Sequence, residues 1–176
     1  MRQDERRAKT RESLLRAGLG GFAQSGYDGS SLDAIAAIAG LSKGAIYAHF
    51  ETKLDLYMAV TARVLEDAAA RNRLVSEALA RGATLPVAVA RYFHAAGGQE
   101  HAAFVTDFWQ TSTRQWAART LLEDFRVRRL VGFSAAAIAA GQRPADALEL
   151  AVTAGKLVDA DTLYLRLGGP AALRTG

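Results

Sequence analysis

Apolar positions in this chain recur every three or four residues, the spacing of helices, and no stretch alternates with the period of two that marks a strand. Leu14, Leu15, Gly18, Leu19 and Phe22 form the first such stripe and predict a helix from Arg6 to Ser25. The segment "SGYDGSS" interrupts it with a glycine stop and residues of capping type. Leu32, Ile35, Ala36 and Ala39 then define a second helix, with Ser31 or Ser30 as its cap and Gly40 as its end. Ser42 caps a third, Lys43 to about Phe50, and Thr52 a fourth that runs towards residue 80 through Leu54, Tyr57, Met58, Val64 and Leu65. Thr84 and Pro86 start a fifth that ends at Gly97-Gly98. A sixth spans about 99–112, and two long helices at about 115–140 and 145–167 are separated by "GQRPAD". The expected fold is all-α: a three-helix head with a helix-turn-helix at about 31–50, within 1–53, on a larger helical body, 54–176.

Composition narrows this picture. Half of the 176 residues are hydrophobic and 23% are charged, so the chain is globular and not disordered. A net charge of +4 permits an anionic partner, and position adds to the sum. Within residues 1–16, Arg2, Arg6, Arg7, Lys9, Arg11 and Arg16 face only Asp4, Glu5 and Glu12, an excess of three positive charges. There is no cysteine, hence no disulfide, thiolate metal site or cysteine nucleophile. The N-terminus lacks an apolar signal-peptide core. The longest uncharged stretch, Leu130–Gln142, falls short of the roughly 20 residues that span a bilayer. A soluble cytoplasmic protein is expected.

Two short helices joined by a glycine turn make a helix-turn-helix, although the spacing alone also fits an ordinary αα-corner. The third helix separates the two. On a wheel of 100° per residue, Ile46 and Phe50 define its buried side. Gly44 and Ala48 lie opposite, with Ala45 close by and Tyr47 and His49 on the flanks. Small residues thus occupy the outer face, where a surface helix would carry Glu, Lys or Gln. A helix entering the DNA major groove needs that bareness to bring its backbone near the base edges. Lys43 then reaches guanine O6 or N7, while Tyr47, His49 and Lys53 anchor phosphates.

These residues resemble a known family. The stretch 11–60, above all "IAxxAGLSKGAIYxHFxTKxDL" from Ile35 to Leu56, closely resembles the DNA-binding head of the tetracycline-repressor-like (TetR) bacterial transcriptional regulators. The resemblance implies a homodimer on a palindromic operator, usually a repressor. It implies a phosphate contact for Ser31, base contacts for Lys43, Gly44 and Ala45, and backbone contacts for Tyr47, His49 and Lys53. At Asp33 some members carry a basic or long polar base reader. An Asp there either accepts from cytosine N4 or caps the second helix.

The body matches more loosely. Its last two helices, weighted towards small residues such as Ala151, Ala154 and Gly155, are expected to form a four-helix dimer bundle with a second copy. The resemblance also implies a small effector in the body. Tyr57, Tyr92, Phe93, His94, Phe104, Phe108, Trp109 and Trp116 are its expected contacts, and their aromatic character suggests a fairly apolar molecule. The competing reading is a constitutive DNA binder controlled by a protein partner or serving an architectural role. Catalysis is not expected, since no His-Glu-x-x-His, Walker loop or Gly-x-Ser-x-Gly occurs. His94 and His101 with Glu100 and Asp107 look like a metal set, but Gly97-Gly98 breaks the helix between the histidines. No metal or cofactor is expected.

Overall fold

The computed structural model describes residues 3–95 and 99–166, with side chains throughout except at 93–94, 99 and 160–166. Among the described residues every element is helical: α1 Gln3–Gly29, α2 Leu32–Ile38, α3 Lys43–Tyr47, α4 Lys53–Ala80, α5 Leu85–His94, α6 Gln99–Ser112, α7 Trp116–Ala139 and α8 Pro144–Arg166. No helix among them is long and apolar enough to cross a membrane. The chain forms two compact units, Met1–Val64 with Glu100–Ala118 and Leu65–Gln99 with Arg119–Gly176, so the boundary falls inside α4 and α7.

The stop signals act as their chemistry requires. At the end of α2, Gly40 adopts φ 66°, which an L side chain resists. Its N–H donates to the Ala37 carbonyl and that of Leu41 to the Ala36 carbonyl, the paired closure of a Schellman turn. The same pair of bonds closes α4 at Gly82 and α7 at Gly141. Ser31 and Ser42 cap α2 and α3 by accepting from the Ala34 and Ala45 N–H groups, each at 3.2 Å. Thr52 and Asp55 cap α4 reciprocally: the Thr52 N–H donates to Asp55 Oδ2 at 2.9 Å, and the Asp55 N–H to Thr52 Oγ1 at 3.1 Å. Helix α3 is five residues long, shorter than the wheel over 43–50 suggests, because Ala48 closes it in a final turn.

In the first unit, α1 is a platform. Gly18 and Gly21 share its inner face, and a Cβ at either would meet Val60 Cγ2 at 3.0 Å or Ile35 Cγ1 at 3.1 Å, so α4 and α2 lie directly on its backbone. Leu14, Phe22, Ile35, Ile46, Leu56 and Tyr57 fill the space between them, all 0–1% exposed. The helical path breaks at Gly26 (φ 70°, ψ 173°), where the stop was expected, and beyond this bend α1 resumes for one further turn to Gly29. The bend aims the Tyr27 N–H at the Asp107 carboxylate of α6, 3.1 and 3.2 Å from its two oxygens. The Tyr57 hydroxyl donates to the same carboxylate at 2.8 Å. Burial first, and then the hydrogen bond to Asp107 and its charge, push the Tyr57 phenol far above its usual range against an opposing hydrogen bond from Thr111, so it remains a neutral donor.

In the second unit, α4, α5, α7 and α8 share a core of Val75, Leu79, Val89, Tyr92 and Phe133, with alanines at the α8 contact. A bidentate bridge from Arg129 to Asp159, 2.7 and 3.0 Å, ties α7 to α8 and leaves the Arg129 side chain 8% exposed. Gly155 gives the guanidinium room, since a Cβ there would lie 3.3 Å from Arg129 Nη2.

Candidate nucleic-acid interface

The expected interface residues all belong to the first unit and are placed by α2, α3 and the start of α4. As the wheel requires, Ile46 and Phe50 turn inwards, 0% and 4% exposed. Gly44 and Ala48 are exposed, Ala45 is half-buried, and Tyr47 keeps 46% of its surface open. The outer face of α3 is bare.

Lys43 does not stand alone on that face. Its ammonium lies 2.7 Å from Asp33 Oδ2 and 6.0 Å from the centre of the Tyr47 ring. The hydrogen bond to Asp33, then the carboxylate charge, raise the Lys43 pKa, so the amine stays protonated. Asp33 therefore holds the lysine of the next helix, and Ser31 supplies the cap that Asp33 was one candidate for. The pair is solvent-exposed and opens readily.

Lys53 is placed differently. Its ammonium donates to the carbonyls of Tyr27 at 2.7 Å, Ser30 at 3.1 Å and Asp28 at 3.4 Å, and lies 4.5 Å from the centre of the Tyr27 ring. An ammonium has three donors, and all three are directed into the end of α1. A phosphate at Lys53 has to exchange one of these bonds. Ser31 is exposed, with its oxygen accepting from the Ala34 N–H and its own proton available to an acceptor outside.

His49 shows what the wheel over α3 left out. Its imidazole pKa is lowered, by burial first and then by the charges of Arg7 and Arg11. The Arg11 guanidinium lies 5.5 Å from the centre of the Phe50 ring. The basic first turns of α1 thus lie beside the end of α3, and Arg7 and Arg11 join the charged rim. Their signal was in the sequence as the positive excess of residues 1–16, without an address.

The expected effector contacts are distributed between the units. Tyr57 and Phe104 pack at a tilt of 42° in the first, ring centres 5.3 Å apart, with Phe22 edge-on to Tyr57 at 4.9 Å. Phe108 is buried there too, Trp109 is half-buried, and Trp116 is 78% exposed. Tyr92 belongs to the core of the second unit, with the Arg71 guanidinium 5.3 Å from its ring centre. The side chains of Phe93 and His94 lie outside the described residues. Among the described residues no group of three His, Cys, Asp or Glu side chains is arranged to hold a metal ion.

Comparison with known proteins agrees with this geometry. Residues 14–60 match the family model for bacterial regulatory proteins of the tetR family. The chain is 45% identical over 56 residues to the HTH-type transcriptional repressor BepR of Brucella suis biovar 1 (strain 1330), covering 32% of this chain. It is 42% identical over 65 residues, 37% of this chain, to the HTH-type transcriptional activator FasR of Mycolicibacterium smegmatis (strain ATCC 700084 / mc(2)155). These matches span 27% and 28% of the two relatives' own lengths. The fold extends further: a transcriptional regulator from Saccharomonospora viridis, solved in complex with choline, superposes with a TM-score of 0.73 at 21% identity over 94% of this chain and 89% of the other. The helix-turn-helix head thus matches the tetR family of bacterial regulatory proteins in its residues, and the all-helical fold is shared nearly end to end with solved transcriptional regulators.

Proposed function

We propose that this protein is a dimeric transcriptional repressor, bound to a palindromic operator through residues 1–53 and released by a small, fairly apolar effector held within residues 54–176. Gly44 carries the DNA part of the reading. It sits inside α3, where glycine costs about 1 kcal/mol relative to alanine. Its φ is not positive, and a Cβ would meet no atom within 4 Å. Nothing inside the protein asks for glycine there, so the constraint comes from outside, as expected of a backbone that approaches base edges. Lys43, held by Asp33 at the start of the same helix, is the base reader. Ala45 lies beside it, and Ser31, Tyr47, His49 and Lys53 take the phosphates.

The test combines selection with substitution. The native protein is expected to enrich a palindromic site from random DNA. Gly44→Gln is expected to bind that site at least tenfold more weakly while melting no earlier than the native protein. Recovery of no palindrome, or undiminished binding by Gly44→Gln, would refute the reading.

A second copy is supported by α7 and α8. Val127, Val131 and Ile138 make an exposed stripe on α7, and Leu148 and Val152 are exposed on α8. Two heads about 34–36 Å apart then reach successive major grooves. Release by an effector follows if the effector binds the DNA-incompetent state more tightly than the competent one. That the fold can hold a small molecule is supported by the relative solved with choline.

His49 provides a pH dependence. In the free protein burial, Arg7 and Arg11 disfavour its charged form. A phosphate beside it favours that form, so the complex binds more protons than the free protein, and affinity rises as pH falls. Between pH 7.5 and 5.5 the affinity is expected to rise as His49 takes up its proton in the complex. Titration of His49→Gln by fluorescence anisotropy should give a flat profile; an unchanged slope would remove His49 from the interface.

A further inference from the structure

Within the second unit, α4 and α7 leave a cleft of about 210 Å³. Its floor is apolar, with Phe133 fully buried and Phe125 half-buried. Gly132 opens it: a Cβ there would have only the Ser76 hydroxyl near it, at 3.8 Å. Asn72 lines the cleft, is 7% exposed, and its Oδ1 accepts no hydrogen bond. A buried amide oxygen without a donor is costly, and a ligand hydroxyl would relieve it. The rim is basic. Arg73, Arg128 and Arg129 line the cleft and no carboxylate does. Arg128 and Arg129 are balanced by Asp124 and Asp159, whereas no carboxylate among the described residues pairs with Arg73.

Size and chemistry narrow the occupant. A cavity of about 150 Å³ takes benzene, so this cleft has space for one ring and a carboxylate. In such an occupant the ring would lie on the phenylalanines, the carboxylate would meet Arg73, and a ring hydroxyl would donate to Asn72. A cation is disfavoured by the rim. On the α7 wheel, Phe125, Arg129 and Gly132 lie roughly opposite Val127, Val131 and Ile138, so a copy seated on that stripe leaves the cleft open. None of the six described side chains among those expected to contact an effector lines it.

We propose that this cleft binds a single-ring aromatic carboxylate bearing a ring hydroxyl, and that this is the effector's chemical class. The regulatory role rests on the function proposed above; the binding itself does not. The test is calorimetry on the full chain without DNA, using 2-, 3- and 4-hydroxybenzoate as probes and 4-hydroxybenzyl alcohol as the neutral control. At least one hydroxybenzoate is expected to bind, more tightly than benzoate. Arg73→Gln should weaken it at least tenfold and leave the alcohol unchanged. Gly132→Leu fills the cleft with a better helix former, and its circular dichroism should match the native protein while binding is lost. Failure of every hydroxybenzoate to bind, binding undiminished in Gly132→Leu, or equal binding of the neutral alcohol overturns the proposal. With DNA absent from these titrations, their failure leaves operator recognition standing, and failure of operator recognition leaves this site standing.

Discussion

Asp107→Ala is expected to destabilise the protein by about 3 kcal/mol and lower its melting temperature by about 10 °C. One carboxylate on α6 satisfies two donors distant in sequence, the Tyr27 N–H at the bend of α1 and the Tyr57 hydroxyl of α4. Its removal leaves a fully buried phenol and a backbone N–H without their acceptor, and each such loss costs about 1–3 kcal/mol. Tyr57→Phe removes only one donor and should cost about 1 kcal/mol, because Asp107 keeps the Tyr27 N–H. In the Tyr57→Phe background, Asp107→Ala should then cost less than it does alone, the sign of direct coupling. Thermal melts of the two single variants and the double variant measure this. Strict additivity would show that Asp107 acts on the bend of α1 alone.

The second large effect concerns assembly. Val131→Asp is expected to turn the proposed dimer into a monomer, raising its dissociation constant at least 100-fold. Val131 is 61% exposed in the single chain, so the carboxylate is solvated in the monomer and the fold is kept. In a bundle formed with a second copy it would be buried without a partner, which is strongly unfavourable. Operator affinity should fall by about 10²–10⁴, because two tethered heads gain that much from effective concentration. Sedimentation velocity and anisotropy on one preparation read both quantities. A Val131→Asp protein that still sediments as a dimer would move the interface elsewhere.

Local chemistry was the legible part of this molecule. The caps at Ser31, Ser42 and Thr52, the turn at Gly40 and the inward set of Ile46 and Phe50 depend on neighbours within a few residues, which a periodic pattern and a capping residue reveal. What the pattern could not show depends on pairings across the chain. Lys53 looked like a free cation at a helix start, yet its partners are carbonyls 23 to 26 residues earlier. Asp107 looked like one of four members of a weak metal set and instead joins residues 80 and 50 positions away. The cleft was hidden for a related reason. Arg73 and Arg128 carry no mark in the helical pattern, and only the packing of α4 on α7 makes them a rim.

Gly40 and Gly44 are four residues apart and answer to different constraints. The first is required by covalent geometry, since the chain turns there through a left-handed conformation. The second is not required by the fold, since a Cβ there would meet nothing within 4 Å, and under the proposed function its demand comes from the DNA outside. A lineage that ceased to use its operator could therefore shed Gly44 with no penalty in folding, and even gain helix stability, while Gly40 stayed fixed.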